Sequence, residues 1–296
     1  MHIVPKTILA ATDFSETADR AGALARGIAR QFAADLHLLH VIVLLEDPHL
    51  EEGHRDQFEQ LIAAGEHARR TILEGSPEEL SGIPVVPHLV RGLAPDEVII
   101  ETASTIGTDL IVMGTHGRRG LTHLLLGSVA EKVVRTPSAP VLTVRADAAI
   151  NPDGISRILV PHDFSEASAG AVRYAAGWAR ELGAEITLLH VVEPVVYPEF
   201  YSVDVISDDL MGRLTERSEE ALSTTADELI PGIPTSTAVE VGRAADTIVH
   251  LADPERFDLV VMSTRGLSAI EHLLLGSVAE SVLRRCKVPL LTVCGE

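Results

Sequence analysis

Hydrophobic residues in this chain come in short blocks separated by longer stretches of helical period. Thr7–Thr12 is apolar and bounded by Pro5 and Asp13, the pattern of a strand buried on both faces. From Ser15 to Phe32 the spacing becomes helical, with Leu24, Ile28 and Phe32 on one face and Ser15 placed to cap the first turn. Leu36–Leu45, Val85–Arg91, Leu110–Thr115 and Pro140–Arg145 read as further strands, and Gln57–Glu74, Pro95–Thr105 and Ser128–Arg135 as helices. Strands alternating with helices predict a parallel sheet with right-handed crossovers.

The pattern then repeats. Lys6–Glu16 recurs as Ser156–Glu166, an offset of 150 from Asp13 to Asp163, and Leu38-Leu39-His40-Val41 recurs as Leu188-Leu189-His190-Val191. Leu124–Glu131 recurs as Leu273–Glu280, an offset of 149 from Gly127 to Gly276, so one residue is missing before the fourth strand of the second copy. A period this long is a duplicated domain and not a solenoid repeat. The expected fold is α/β: two tandem, open, doubly wound domains, each a five-stranded parallel sheet of Rossmann-like type. The expected domains are residues 1–148 and 155–296, joined by a linker, Ala146–Ser156, that contains Asn151-Pro152-Asp153-Gly154.

Composition narrows the function. Of 296 residues, 46% are hydrophobic but only 3% aromatic, which predicts aliphatic cores. A net charge of -19 argues against nucleic-acid binding, since such a surface repels phosphate backbones. It leaves nucleotide binding open, because a local cluster of backbone N–H groups holds a phosphate on an acidic protein. The two cysteines, Cys286 and Cys294, form no metal-binding or disulfide pattern. With no signal-peptide pattern and no apolar run of membrane-spanning length, the expected setting is cytoplasmic, with no membrane partner.

In an open parallel sheet, ligands bind beyond the carboxyl ends of the strands, where the strand order reverses. The loops after Asp13, Val41 and Gly114 therefore carry the candidate chemistry. Met113-Gly114-Thr115-His116-Gly117 is followed, nine residues later, by Gly127-Ser128 at the start of a helix. Glycines let the backbone approach a ligand closely, and the free amides of a helix start favour an anion. Two structural readings compete. Ser128-Val129-Ala130-Glu131 is also a capping-box sequence, and Asp13 is also a common turn residue. His40 and His190 read as packed or hydrogen-bonded side chains, and His116, within the loop, as a ligand contact.

The spacing G-x-x-G-x9-G-S at Gly114, Gly117, Gly127 and Ser128 resembles the ATP-binding signature of universal stress proteins. The resemblance extends over both halves and includes Asp13 after the first strand and Val41 in the second. It implies an adenine nucleotide alpha hydrolase-like fold that binds ATP, or ADP or AMP, with Mg²⁺ as an optional companion. It also implies that Ala11, Thr12, Asp13, Val41 and Met113 lie at adenine and ribose, and that Gly114, His116, Gly117, Arg118, Gly127, Ser128 and Val129 lie around ribose and phosphates. The matching second-half positions are Asp163, Val191, Ser263, Arg265, Gly266, Gly276, Ser277 and Val278. The resemblance further implies an intramolecular pseudo-dimer through the last strands of the two halves, and it leaves homodimerisation open.

The second half departs from the pattern. Ser263 replaces the first glycine, Leu267 stands at the place of Arg118, Arg265 at that of His116, and Pro161-His162 at that of Ala11-Thr12. The first site is therefore expected to bind nucleotide more tightly. No GxxxxGK[ST] loop occurs, and the three lysines, Lys6, Lys132 and Lys287, lie elsewhere, which excludes a P-loop ATPase. Three functions follow in order: a nucleotide-binding regulatory protein of the stress response, a slow ATP hydrolase, and a nucleotide-free interaction scaffold. Glu46–Asp56 reads as a solvated loop or a lid, and the stretch from Val195 to Tyr201 as local packing or a partner surface.

Overall fold

The computed structural model describes residues 3–43, 85–116, 126–151, 153–194, 208–266 and 275–293. The expected helix at Gln57–Glu74, the Glu46–Asp56 loop and the Val195–Tyr201 stretch lie outside them. The chain forms two compact units, Met1–Ala146 and Asp147–Glu296.

In the first unit the order is β1 (Thr7–Ala11), α1 (Glu16–Phe32), β2 (Asp35–Val43), β3 (Val85–Gly92), α2 (Pro95–Thr105), β4 (Leu110–Gly114), α3 (Ser128–Arg135) and β5 (Val141–Val144). Its parallel sheet runs β3-β2-β1-β4-β5. The chain winds outward from β1 to β3 and then returns to the other side of β1, so the reversal falls between β1 and β4. Ile8, Leu9, Leu110, Ile111 and Val112 are fully buried. Helices thus cover both faces of these central strands, which explains why the strands read as unbroken apolar runs.

Helix α1 packs closely on the sheet because its inner face is small: Ala18, Ala21, Ala25 and Ala29 are buried beside Leu24 and Ile28. Ser15 caps it as expected, accepting the Ala18 N–H at 3.2 Å. It ends at Ala33 in the left-handed region (φ 52°), whose N–H reaches the Ala29 carbonyl.

The second unit repeats the plan with β6 (Arg157–Pro161), α4 (Glu166–Leu182), β7 (Glu185–Val192), α5 (Asp208–Leu229), β8 (Thr235–Val241), α6 (Ala244–Leu251), β9 (Leu259–Ser263), α7 (Ser277–Arg285) and β10 (Leu290–Val293). Its strands run β8-β7-β6-β9-β10. Ser165 caps α4 and Gly183 closes it at φ 66°.

Two expectations need correction. The cores are not purely aliphatic: the largest fully buried side chains are Trp178 and Tyr174 on α4, with ring centroids 6.0 Å apart. Nor is Ala146–Ser156 a free linker. Ala148 and Ile155 are buried, the Ala149 N–H donates to the Lys287 carbonyl at 3.1 Å, and Asn151 Nδ2 donates to Asp258 at 3.0 Å. Apolar contacts and a buried carboxylate tie most of this segment to the second unit. Among the described residues, no helix is long and apolar enough to cross a membrane.

Candidate functional site

The carboxyl ends of β2, β1 and β4 lie side by side, because Ala11 pairs with Leu39 on one flank and with Met113 on the other. Ala11 closes β1, and Thr12 and Asp13 follow it. Val41 sits in β2 opposite Val90 of β3. Met113 and Gly114 close β4, with Thr115 and His116 beyond. Ala11, Thr12, Asp13, Val41, Gly114 and His116 are all half-buried. Gly117 and Arg118 lie outside the described residues.

Local hydrogen bonds set the turn after β1. The Thr12 N–H continues the ladder to the Leu39 carbonyl at 2.8 Å. Thr12 Oγ1 accepts the Phe14 N–H at 3.0 Å, and Asp13 Oδ1 accepts the Ser15 N–H at 3.1 Å. These bonds hold Phe14 at φ 60°, a left-handed conformation that costs a bulky L-residue about 1–2 kcal/mol. His40 offsets this: its Nδ1–H donates to the Thr12 carbonyl at 2.8 Å, and its ring lies 4.6 Å from that of Phe14. Asp13 thus serves the turn, and His40 is hydrogen-bonded as expected. The second half repeats the arrangement, with Phe164 at φ 63°, His190 Nδ1 donating to the His162 carbonyl at 2.9 Å and rings 4.5 Å apart. Nothing in the apolar periodicity announces this clamp, although Asp-Phe-Ser and Leu-Leu-His each occur twice.

The glycines have separate reasons. A Cβ on Gly114 would stand 2.8 Å from Thr17 Cγ2 and 3.2 Å from the Thr17 carbonyl carbon, so Gly114 lets β4 press onto the first turn of α1. A Cβ on Gly127 would stand 2.8 Å from the Thr115 carbonyl oxygen. The Gly127 N–H donates to that same oxygen at 2.8 Å, drawing the start of α3 against the end of β4. Thr115 is buried, and its hydroxyl shares a hydrogen bond of 2.9 Å with His116 Nδ1.

The capping-box reading of Ser128 does not hold. Gly127 is the N-cap (φ -64°, ψ 141°), with no side-chain cap bond, and Ser128 is the first helical residue with an exposed side chain. Glu131 reaches forward to Arg135 at 2.9 Å. A residue with helical backbone angles no longer aims its hydroxyl at the amides ahead of it, which is why Ser128 cannot cap. The helical ladder begins with the Glu131 N–H to the Gly127 carbonyl at 2.9 Å. The amides of Ser128, Val129 and Ala130 therefore have no partner inside α3, and the helix dipole adds to their pull on an anion.

In the second half, Asp163 follows β6 and Val191 lies in β7. Ser263 closes β9, with Arg265 and Gly266 just beyond it. Gly276 caps α7, and Ser277 and Val278 open it. The Gly276 N–H donates to the Thr264 carbonyl at 2.8 Å, as Gly127 does to Thr115. A Cβ on Gly266 would stand 2.6 Å from Asp163 Oδ2, so the segment after β9 meets the carboxylate that follows β6. Pro161, His162, Ser263 and Thr264 are buried here. A concavity of about 290 Å³ lies elsewhere, at the amino ends of the strands beside Asn151, Arg157, Phe257 and Asp258.

Sequence and fold comparisons bear on both halves. The model of the Universal stress protein family matches residues 5–145 and 154–293. A universal stress protein of Methanocaldococcus jannaschii is 36% identical over 143 residues, which cover 46% of this chain and 81% of that protein. One of Mycobacterium bovis is 29% identical over 187 residues, covering 62% of this chain and 61% of its own length, under two thirds of that protein. The crystal structure of a universal stress protein from Archaeoglobus fulgidus DSM 4304 superposes with a TM-score of 0.70 at 22% identity, covering 98% of this chain and 99% of that one, a likeness of fold.

Proposed function

The chain belongs to the universal stress protein family, and we propose that its first half binds an adenine nucleotide, ATP or its ADP or AMP relatives, as a regulatory ligand of the stress response. The observation that carries this reading is the junction of Gly127 with Thr115. A glycine that admits no Cβ brings the unpartnered amides of a helix start to the carboxyl end of β4, beside the point where strand order reverses.

In this reading the amides of Ser128 and Val129, the Ser128 hydroxyl and the backbone at Gly114 take the phosphates, joined by His116, with Gly117 and Arg118 assigned there by the motif spacing alone. Ala11, Thr12, Val41 and Met113 line the base. The Asp13 carboxylate, fixed by its bond from Ser15, accepts from ribose hydroxyls or the base, since close to a triphosphate it would be repelled. The nucleotide itself brings charge and any Mg²⁺ it carries. The chain's part is to orient it.

Isothermal titration of the purified full chain with ATP, beside native mass spectrometry of protein taken directly from cells, tests the proposal. Saturable binding, or co-purified ATP, ADP or AMP, is expected. A chain that arrives empty and takes up no ATP at millimolar concentration would sink it.

A further inference from the structure

The two clefts do not differ by scattered substitutions. They differ by matched ones. In the first half Gly114 is needed because Thr17 crowds it, with a Cβ placed at 2.8 Å from Thr17 Cγ2. In the second half Ala167 stands at the position of Thr17 and Ser263 at that of Gly114, a smaller residue on the helix matched to a larger one on the strand. The second pair exchanges polarity. His162 replaces Thr12 and Ser168 replaces Ala18. The buried His162 imidazole places Nδ1 at 2.8 Å from the buried Ser168 hydroxyl. Alone, either change would leave a clash or an orphaned buried polar group, which costs about 1–3 kcal/mol.

Backbone pairing changes with them. β1 and β4 stay in register through Ala11 and Met113, at four positions, whereas β6 and β9 pair only at Ile158–Leu259 and Leu159–Val260. The His162 N–H points to β7, bonding the Leu189 carbonyl at 2.8 Å, so by alternation residue 161 would direct its N–H at β9. Pro161 has none to give. Beyond that point side chains replace the ladder. The Ser263 hydroxyl donates to the Arg265 carbonyl, and Asp163 Oδ2 rests on Gly266. His162 stands edge-on to Phe164 at 5.2 Å. The counterparts Ala11, Thr12 and Gly114 are half-buried, while Pro161, His162 and Ser263 are buried.

We propose that the second cleft is sealed by its own side chains, with His162–Ser168 and Ser263–Ala167 as the closing pairs, so that the chain binds one adenine nucleotide and not two. This rests on the nucleotide reading of the first half. Burial lowers the pKa of His162, which keeps the ring neutral and able to share its hydrogen bond with Ser168. The compensated pairs mark the second half as a repacked interior with specificity of its own: it excludes the ligand that the first half admits. Five side chains, at 161, 162, 167, 168 and 263, decide which half is open.

Native mass spectrometry of the full chain with ATP reports how many nucleotides bind, and hydrogen exchange with and without ATP reports where. One bound nucleotide is expected, with new protection confined to the first half. Two nucleotides, or protection gained around 162–168 and 263–266, would overturn the seal. Absence of any bound ATP would overturn the nucleotide reading, and this inference with it. A graft of the first-half set, P161A, H162T, A167T, S168A and S263G, is expected to raise the count from one to two. A folded graft that still takes one would show that these side chains are not the barrier.

Discussion

His40 donates from Nδ1 to the carbonyl of Thr12 at 2.8 Å, joining the end of the second strand to the residue before Asp13. The bond and the contact with Phe14 together hold a left-handed turn that few bulky residues adopt. Replacing His40 by Ala removes a hydrogen bond and a ring contact, worth about 2 kcal/mol together. His40→Ala is expected to lose that much stability to denaturant and to weaken ATP binding about tenfold by freeing the Asp13 turn. His40→Asn, which keeps a donor, is expected to fall between. Unchanged ATP affinity in a destabilised His40→Ala would show that the turn serves the fold alone.

The two N-cap glycines give a sharper comparison. A Cβ on Gly127 meets the Thr115 carbonyl oxygen at 2.8 Å, whereas on Gly276 it meets the Thr264 carbonyl oxygen at 3.4 Å. Gly276→Ala is expected to cost only the cap preference, about 0.5–1 kcal/mol. Gly127→Ala adds a backbone clash and is expected to cost a further 1–3 kcal/mol, roughly the penalty of overpacking, and to lower ATP affinity. Denaturant midpoints and titrations of the two variants check this, and equal effects would refute it.

How much of this was legible follows from what each element depends on. Strands such as Leu110–Gly114 announce themselves because burial on both faces demands unbroken apolar runs. Ser15 was readable as a cap because it precedes the helical period, with its partner N–H three residues on. The competing cap reading of Ser128 is one residue out, because Ser-x-x-Glu fits a cap one residue later than the actual one, and only backbone angles distinguish Gly127 as the N-cap. Of the site, the glycine spacing was visible, but the reason for Gly114 was not, since its neighbour Thr17 is distant in sequence. Thr17 with Gly114 against Ala167 with Ser263 could have been found by laying one half over the other. Trp178 and Tyr174 were missed because a low aromatic content says nothing of where the few aromatics go.

Asp258 gives a prediction away from the cleft. It is buried at the start of β9 and accepts from the Ser156 and Arg157 amides, both at 2.9 Å, from the Ser156 hydroxyl at 2.9 Å, and from Asn151 and the Arg157 guanidinium at 3.0 Å each. Burial alone would raise its pKa, but these donors, the Arg157 guanidinium foremost, outweigh burial and hold it down at about 2, against 3.8 unperturbed. A carboxyl with a depressed folded pKa stabilises fully above its unfolded pKa and loses that contribution as pH falls through the folded value. Stability of the second unit is therefore expected to hold at pH 5 and to fall by about 2 kcal/mol between pH 4 and 2. Asp258→Asn should lose a similar amount at pH 7 and flatten the acid limb.

His162 predicts a second pH window with a different readout. Burial lowers its pKa below 6.5, the nearby His190 lowers it further, and Asp163 opposes both. The folded second unit thus keeps His162 neutral at pH values where the unfolded chain binds a proton. Its contribution is complete above pH 6.5 and is lost as pH drops from there through the folded value. Trp178, the sole tryptophan, is fully buried in the same unit, so its fluorescence reports that unit's unfolding. His37 in the first unit is also lowered, by burial and by His88, but lies outside this readout. Denaturation followed at Trp178 should show a lower midpoint at pH 5.5 than at pH 7.5, and H162T with S168A should remove most of the difference. Equal midpoints at the two pH values in the unsubstituted protein would mean that His162 takes up its proton without cost, which a sealed, buried imidazole bonded to Ser168 does not allow.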